Sequence, residues 1–144
     1  MAGATIAVAS DHAGFDLKEI LKRDLQEAGL EVLDLGTHST ASVDYPDFGR
    51  AMVSAIAAGT VEKGVIVCGT GIGISIAANR NPKVRAALVH DVTSARLTRE
   101  HNDANVIAFG GRLIGTEVAR DALKVFLKTP FEGGRHANRV AKLA

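Results

Sequence analysis

Apolar and polar positions along this chain follow two alternating periods. Short apolar-rich runs fall at 5–9, 31–35, 64–68, 86–89 and 106–109, each followed by glycine or a polar residue. Runs of that length predict β-strands. Between them, apolar residues recur at helical spacing. Leu17, Ile20, Leu21 and Leu25 mark one helix face, stopped at Gly29. Phe48, Ala51, Met52, Ala55 and Ile56 mark a second, closed by Gly59. A short helix is expected over 74–79, and Asp91 stands where it would cap a helix after the fourth strand. A last long helix covers 114–127 and ends near Pro130, and the basic tail after Gly133 and Gly134 forms one more. The strands are apolar on both faces, the pattern of a parallel sheet covered on both sides. The expectation is therefore one three-layer α/β domain over 1–144, without linker, repeat or low-complexity segment.

Composition narrows the possibilities. The chain is 47% hydrophobic and only 4% aromatic, so its core is built from Val, Ile, Leu and Ala. A formal net charge of +1 argues against nucleic acid or a membrane surface as partner, since both call for a basic excess. Positive charge is concentrated locally instead, in Arg135, His136, Arg139 and Lys142. A single cysteine forms no intrachain disulfide and no thiolate cluster for zinc. With no signal-peptide core and no apolar run long enough to span a bilayer, a cytoplasmic protein is expected.

Candidate chemistry gathers where strands end. Asp11-His12, Asp44-Tyr45, Cys68 with Gly69-Thr70-Gly71-Ile72-Gly73, His90-Asp91 and Gly110-Gly111-Arg112 all follow strand C-termini. Open α/β sheets bind ligands at that edge, at the point where strand order reverses. With strand order 2-1-3-4-5, the loops after the first and third strands flank this point. The glycine loop lets backbone amides approach a ligand, and a helix N-terminus follows it. It is a phosphate cradle, an oxyanion hole or simply a tight turn. A dinucleotide fingerprint fits poorly, because Ile74 stands where its third glycine belongs. Cys68 is either a small buried apolar residue or a thiol activated by the loop. His101 is a helix-end residue or an acid–base group. Arg135 and Arg139, four apart, are a solvated surface or a guanidinium clamp for a phosphate, with Arg112 completing it. Asp11, His12, His90, Asp91 and His101 contain no tight metal-ligand motif, so no metal is expected.

Together these motifs strongly resemble the family of ribose-5-phosphate isomerase B and the galactose-6-phosphate isomerase subunits. The matching segments are Asp11-His12-Ala-Gly, Asp44-Tyr45-Pro46, the run from Cys68 to Asn79, Arg99-Glu-His101-Asn102-Asp103 and Glu132-Gly-Gly-Arg135-His136, in order over nearly the whole chain. The resemblance implies a flavodoxin-like, Rossmann-like fold and interconversion of ribose 5-phosphate and ribulose 5-phosphate without metal or cofactor. It implies that Cys68 is the base between C1 and C2 and that His101 opens the furanose ring. Asp11, His12, Tyr45 and Asn102 would contact substrate, with Gly69, Thr70, Gly71, Ile72 and Gly73 around the enediolate oxygens. Arg112, Arg135 and Arg139 would bind phosphate. A homodimer or dimer of dimers is implied, with shared sites and a tail, about 130–144, packed on a neighbouring subunit. A second branch of the family places a glutamate base where this chain has Ile74, which puts this chain in the cysteine branch. The alternatives are isomerisation of an allose, galactose or tetrose phosphate, or a non-catalytic phosphate-binding module.

Overall fold

A computed structural model describes residues 4–144, so the first three positions of the expected 1–144 span lie outside the described residues. The five apolar runs form one parallel sheet: β1 (Thr5–Ser10), β2 (Glu31–Asp34), β3 (Lys63–Cys68), β4 (Ala86–Leu88) and β5 (Val106–Gly110). The helices are α1 (Phe15–Glu27), α2 (Tyr45–Ala57), α3 (Ile72–Ala78), α4 (Val92–Asn102), α5 (Thr116–Lys128) and α6 (Arg135–Ala141). No helix among the described residues is long and apolar enough to cross a membrane.

The strand order is β2-β1-β3-β5-β4, which corrects the expected 2-1-3-4-5 at its last two members. Burial explains the exchange. All five residues of β5 are buried, so it suits an interior position with a strand on each side. β4 is three half-buried residues and suits an edge, where short strands are tolerated. The chain therefore passes outward from β3 beyond β5 to β4, then turns back. Right-handed crossovers in opposite directions place their helices on opposite faces. Accordingly α3 packs with α2 on one face, and α4 packs with α5 on the other.

Two cores result, separated by the sheet. Val8, Val65, Val67, Ile107 and Phe109 meet Leu21, Leu25 and Phe126 on the α1/α4/α5 side. Ala9, Ile66, Cys68 and Ala108 meet Met52, Ile56 and Ile74 on the α2/α3 side. Alternation along β3 sends even-numbered residues to α2 and α3, and this is what delivers Cys68 to that layer. Each fully buried Val, Leu, Ile, Phe or Met contributes about 1.5–3 kcal/mol relative to exposure.

Helix ends differ from the apolar periodicity by a turn or less. α3 starts at Ile72, two residues before the expected 74, so Gly73 belongs to its first turn. Asp91 caps α4 as expected, its Oδ1 accepting the Ser94 N–H at 2.6 Å. On α1 the apolar stripe is incomplete as a guide. Ile20 is only half-buried, while Lys18 is fully buried. The Lys18 ammonium donates to Asp34 Oδ1 at 2.8 Å, to Asp34 Oδ2 at 3.0 Å and to the Thr37 carbonyl at 2.8 Å. Asp34 also accepts from Lys22 Nζ and from the Gly36 N–H. This cluster ties α1 to the loop after β2.

Candidate active site

Cys68 ends β3 and is 4% exposed. Its Sγ accepts the Gly71 N–H at 3.2 Å. Gly71 makes this contact in the left-handed region, with φ of 76°, which a side chain at that position would strain. Space is equally restrictive: a Cβ there would stand 2.6 Å from Leu88 Cδ1 and 2.8 Å from the Phe109 carbonyl carbon. The neighbouring strand end is bound to the loop, since Gly111 N–H donates to the Cys68 carbonyl at 2.8 Å and Arg112 N–H to the Gly69 carbonyl at 2.9 Å. These bonds lay the exposed Arg112 side chain over Gly69, where a Cβ would be 3.5 Å from its Cδ and Nη1. Gly73 lets the Tyr45 ring approach so closely that a Cβ would overlap it at 2.4 Å. The exposed Thr70 accepts the Ile72 N–H on its Oγ1 at 3.2 Å, and the Ile72 side chain faces solvent.

The loop after β1 lies beside this one, with Asp11 N–H donating to the Val67 carbonyl. Asp11 is buried and accepts the Gly14 N–H at 3.0 Å. His12 Nδ1 accepts the Val43 N–H at 3.1 Å, so a neutral His12 carries its proton on Nε2. That bond secures the segment entering α2 and forms a cavity of about 390 Å³ lined by Asp11, His12, Asp44, Tyr45 and Arg50 among others. Cys68, the glycine loop, Asp11, His12, Tyr45 and Arg112 thus gather at the C-terminal edge of the sheet. They present a thiol, a row of amides, an imidazole and a guanidinium.

His101, Asn102, Arg135 and Arg139 are not brought to that edge. α4 returns antiparallel to the strands, and its 11 residues rise about 16 Å, so its C-terminal turn reaches the opposite edge. Arg85, just before β4, donates from Nε to the Asp103 carbonyl at 2.8 Å there. The tail follows, with Glu132 N–H donating to the Glu100 carbonyl and α6 packing on α4. His101 stacks on His136 with ring centroids 4.3 Å apart and planes 19° from parallel. Burial, followed by the charges of Arg135, His101 and Arg139, holds the His136 imidazole below its ordinary value against the opposing pull of Glu132. Arg135 and Arg139 are both exposed. The expected three-arginine clamp is therefore split within one chain, with Arg112 at one edge and the α6 pair at the other. The five-residue metal set considered from sequence is split in the same way, because His101 stands apart from Asp11 and His12.

A family model described as Ribose/Galactose Isomerase matches residues 6–143. The chain belongs to the ribose/galactose isomerase family. Within that family it is 46% identical over 135 residues to ribose-5-phosphate isomerase B of Escherichia coli, covering 94% of this chain and 91% of the relative. The solved ribose-5-phosphate isomerase from Thermotoga maritima superposes with a TM-score of 0.95 at 50% identity, covering 97% of each chain. Ribose-5-phosphate isomerase B from Clostridium thermocellum also gives 0.95, at 48% identity over 96% of this chain and 94% of that one. Ile74, at the position where one branch of the ribose/galactose isomerases has a glutamate, is fully buried among apolar neighbours. The sequence motifs pointed to the C-terminal edge of the sheet but did not reveal the Val43–His12 bond or the meeting of His101 with His136. Both are tertiary contacts made across loops, with no local pattern to announce them.

Proposed function

We propose that the chain interconverts ribose 5-phosphate and ribulose 5-phosphate as a cytoplasmic enzyme, moving one proton through Cys68. The observation that carries this reading is the buried Cys68 sulfur held against the Gly71 amide at the ligand edge of an isomerase-family sheet. A thiolate there removes the C2 proton of the open-chain aldose, leaving an enediolate. The resulting thiol returns the proton to C1, while a proton passes from the C2 hydroxyl to O1, giving the ketose. In this reading the amides of the Gly69–Gly73 loop that are not already given to Cys68 Sγ and Thr70 Oγ1 stabilise the developing negative charge. Losing one comparable donor in other enzymes costs about 10²–10³-fold in rate.

Ring opening needs an acid–base group and the phosphate needs an anchor. His101, Arg135 and Arg139 fit those roles but stand at the other edge of their own chain. Their separation supports a homodimer, or a dimer of dimers, in which His101, Asn102, Arg135 and Arg139 of a second chain complete the site around Cys68 and Arg112. Asp11, His12 and Tyr45 would hold the sugar. The tail, about 130–144, would then face the neighbouring subunit.

The test is turnover of ribose 5-phosphate and of tetrose and hexose aldose phosphates, with and without chelator. Ribose 5-phosphate should be the best substrate, and chelator should leave the rate unchanged. Turnover of no phosphosugar would favour a binding module, and loss with chelator would overturn the metal-free route. Cys68→Ala should abolish exchange of the C2 proton with solvent while substrate still binds. Near-normal exchange would remove Cys68 from the mechanism.

A further inference from the structure

The tail builds a second cluster that proton transfer at Cys68 does not use. His136 is only 5% exposed, and its Nε2 is buried without a hydrogen-bond partner. Glu132 Oε1 lies 3.6 Å from that nitrogen, beyond hydrogen-bond range. The half-buried His101 ring stacks against His136 from α4. One donor atom from each of His101, Glu132 and His136 lies within 4.8 Å of the other two. Native proteins seldom leave a buried imidazole nitrogen unpaired, and here it is aimed at a carboxylate with a second imidazole alongside.

We propose that His101, Glu132 and His136 form a binding site for a divalent transition-metal cation of the zinc class, and that the ion inhibits the enzyme by engaging His101. Two imidazoles and one carboxylate, with a fourth position left for water, are a ligand set for Zn²⁺. Magnesium and calcium prefer oxygen donors. Tetrahedral coordination at metal–ligand distances of about 2.0–2.1 Å places ligand atoms about 3.3 Å apart. The His136–Glu132 pair is already close to that spacing. His101 closes the remainder by turning its ring out of the stack, at the last turn of α4 where its side chain is only partly covered. Arg135 and Arg139 stand on α6 with His136. The same arginines repel a cation, and Glu132 offsets only one of their charges. That balance describes a reversible inhibitory site and not a permanently filled structural one.

The inhibitory part rests on the role of His101 proposed above, whereas binding does not. Zn²⁺ affinity is measured by competition with a chromophoric chelator, and Co²⁺ serves as a visible-absorption probe of the ligand set. Wild type and Cys68→Ala should bind one Zn²⁺ per chain with similar affinity, and the Co²⁺ spectrum should lack thiolate charge transfer. Glu132→Gln and His136→Gln should each weaken binding by about tenfold or more, at least the loss seen when a supporting partner of a metal ligand is removed. Glu132 is exposed, so its variant keeps the test open if His136→Gln fails to fold. With ribose 5-phosphate, Zn²⁺ should suppress wild-type turnover and chelator should restore it. Glu132→Gln should retain metal-free turnover yet need about tenfold more Zn²⁺ for equal inhibition. Unchanged affinity in Glu132→Gln, or loss of binding only in Cys68→Ala, would overturn the assignment, the latter by placing the ion on the thiol. Absence of turnover in untreated wild type would sink the isomerase reading, while the binding measurements would still judge the site.

Discussion

Mixing two inactive variants tests whether a site is assembled from two chains, and the geometry fixes the expected yield. Cys68→Ala removes the thiol at the C-terminal edge of the sheet. Arg135→Ala removes a guanidinium on α6, at the opposite edge of the same chain. In a two-fold dimer each site would take its thiol edge from one chain and its tail edge from the other. Random exchange of equal amounts makes about half the dimers mixed. In a mixed dimer, one site receives both defects and the other receives none. About a quarter of all sites should therefore be intact, and the mixture should regain about a quarter of wild-type turnover from two nearly inactive parents. Coupled assay of ribose 5-phosphate conversion reads the recovery, and native mass spectrometry confirms that mixed dimers formed. Mixed dimers without recovered activity would refute the shared site and require Arg135 to act within its own chain or not at all.

Other consequences are open to simpler measurements. Gly71→Ala places a Cβ at a φ of 76° and within 2.8 Å of the β5 backbone. It should cost about 2–4 kcal/mol in urea unfolding and lower kcat with little effect on KM, whereas wild-type stability would contradict the packing argument. Burial acts to raise the Asp34 carboxyl, but hydrogen bonds from Lys18, Gly36 N–H and Lys22 outweigh it, and the net shift is downward. Its stabilisation is therefore full above the ordinary carboxylate value of about 3.9 and is lost as pH falls through the lower folded-state value. Lys18→Met should cost about 3 kcal/mol at neutral pH, the low end for a broken buried pair because Lys22 remains. It should also flatten that acid slope in unfolding titrations, and an unchanged slope would detach Lys18 from it. His101→Asn should slow turnover of cyclic substrate more than of an open-chain analogue, and equal slowing of both would count against ring opening.

The sequence makes the layers legible where a local pattern determines them. The runs at 5–9, 64–68 and 106–109 are apolar enough to require cover on both sides, and they became the three inner strands. The order of β4 and β5 depends on which of two neighbours gains more from burial, a comparison that strand periodicity does not contain. Lys18 escaped notice because a charged residue within an apolar helix reads as solvent-facing until Asp34 and Thr37 are placed around it. Cys68 and the glycine loop were evident because strand, turn and helix follow each other directly. The split among the arginines follows from α4 and α5 both running back across the sheet, so sequence motifs that resemble one constellation are divided between opposite edges.

The alternation that turns Cys68 toward α2 and α3 has a consequence for how this gene can change. Exchanges among Val65, Ile66 and Val67 preserve the parity of β3 and are open to drift at modest cost. Insertion or deletion of one codon within Lys63–Cys68 reverses that parity, sending the thiol into the α1/α4/α5 layer and apolar side chains to the wrong faces. Functional descendants should therefore vary in the identity of residues along β3 while holding its length constant, and accept length changes in the solvent-facing segment around Ser39 and Ala41 instead.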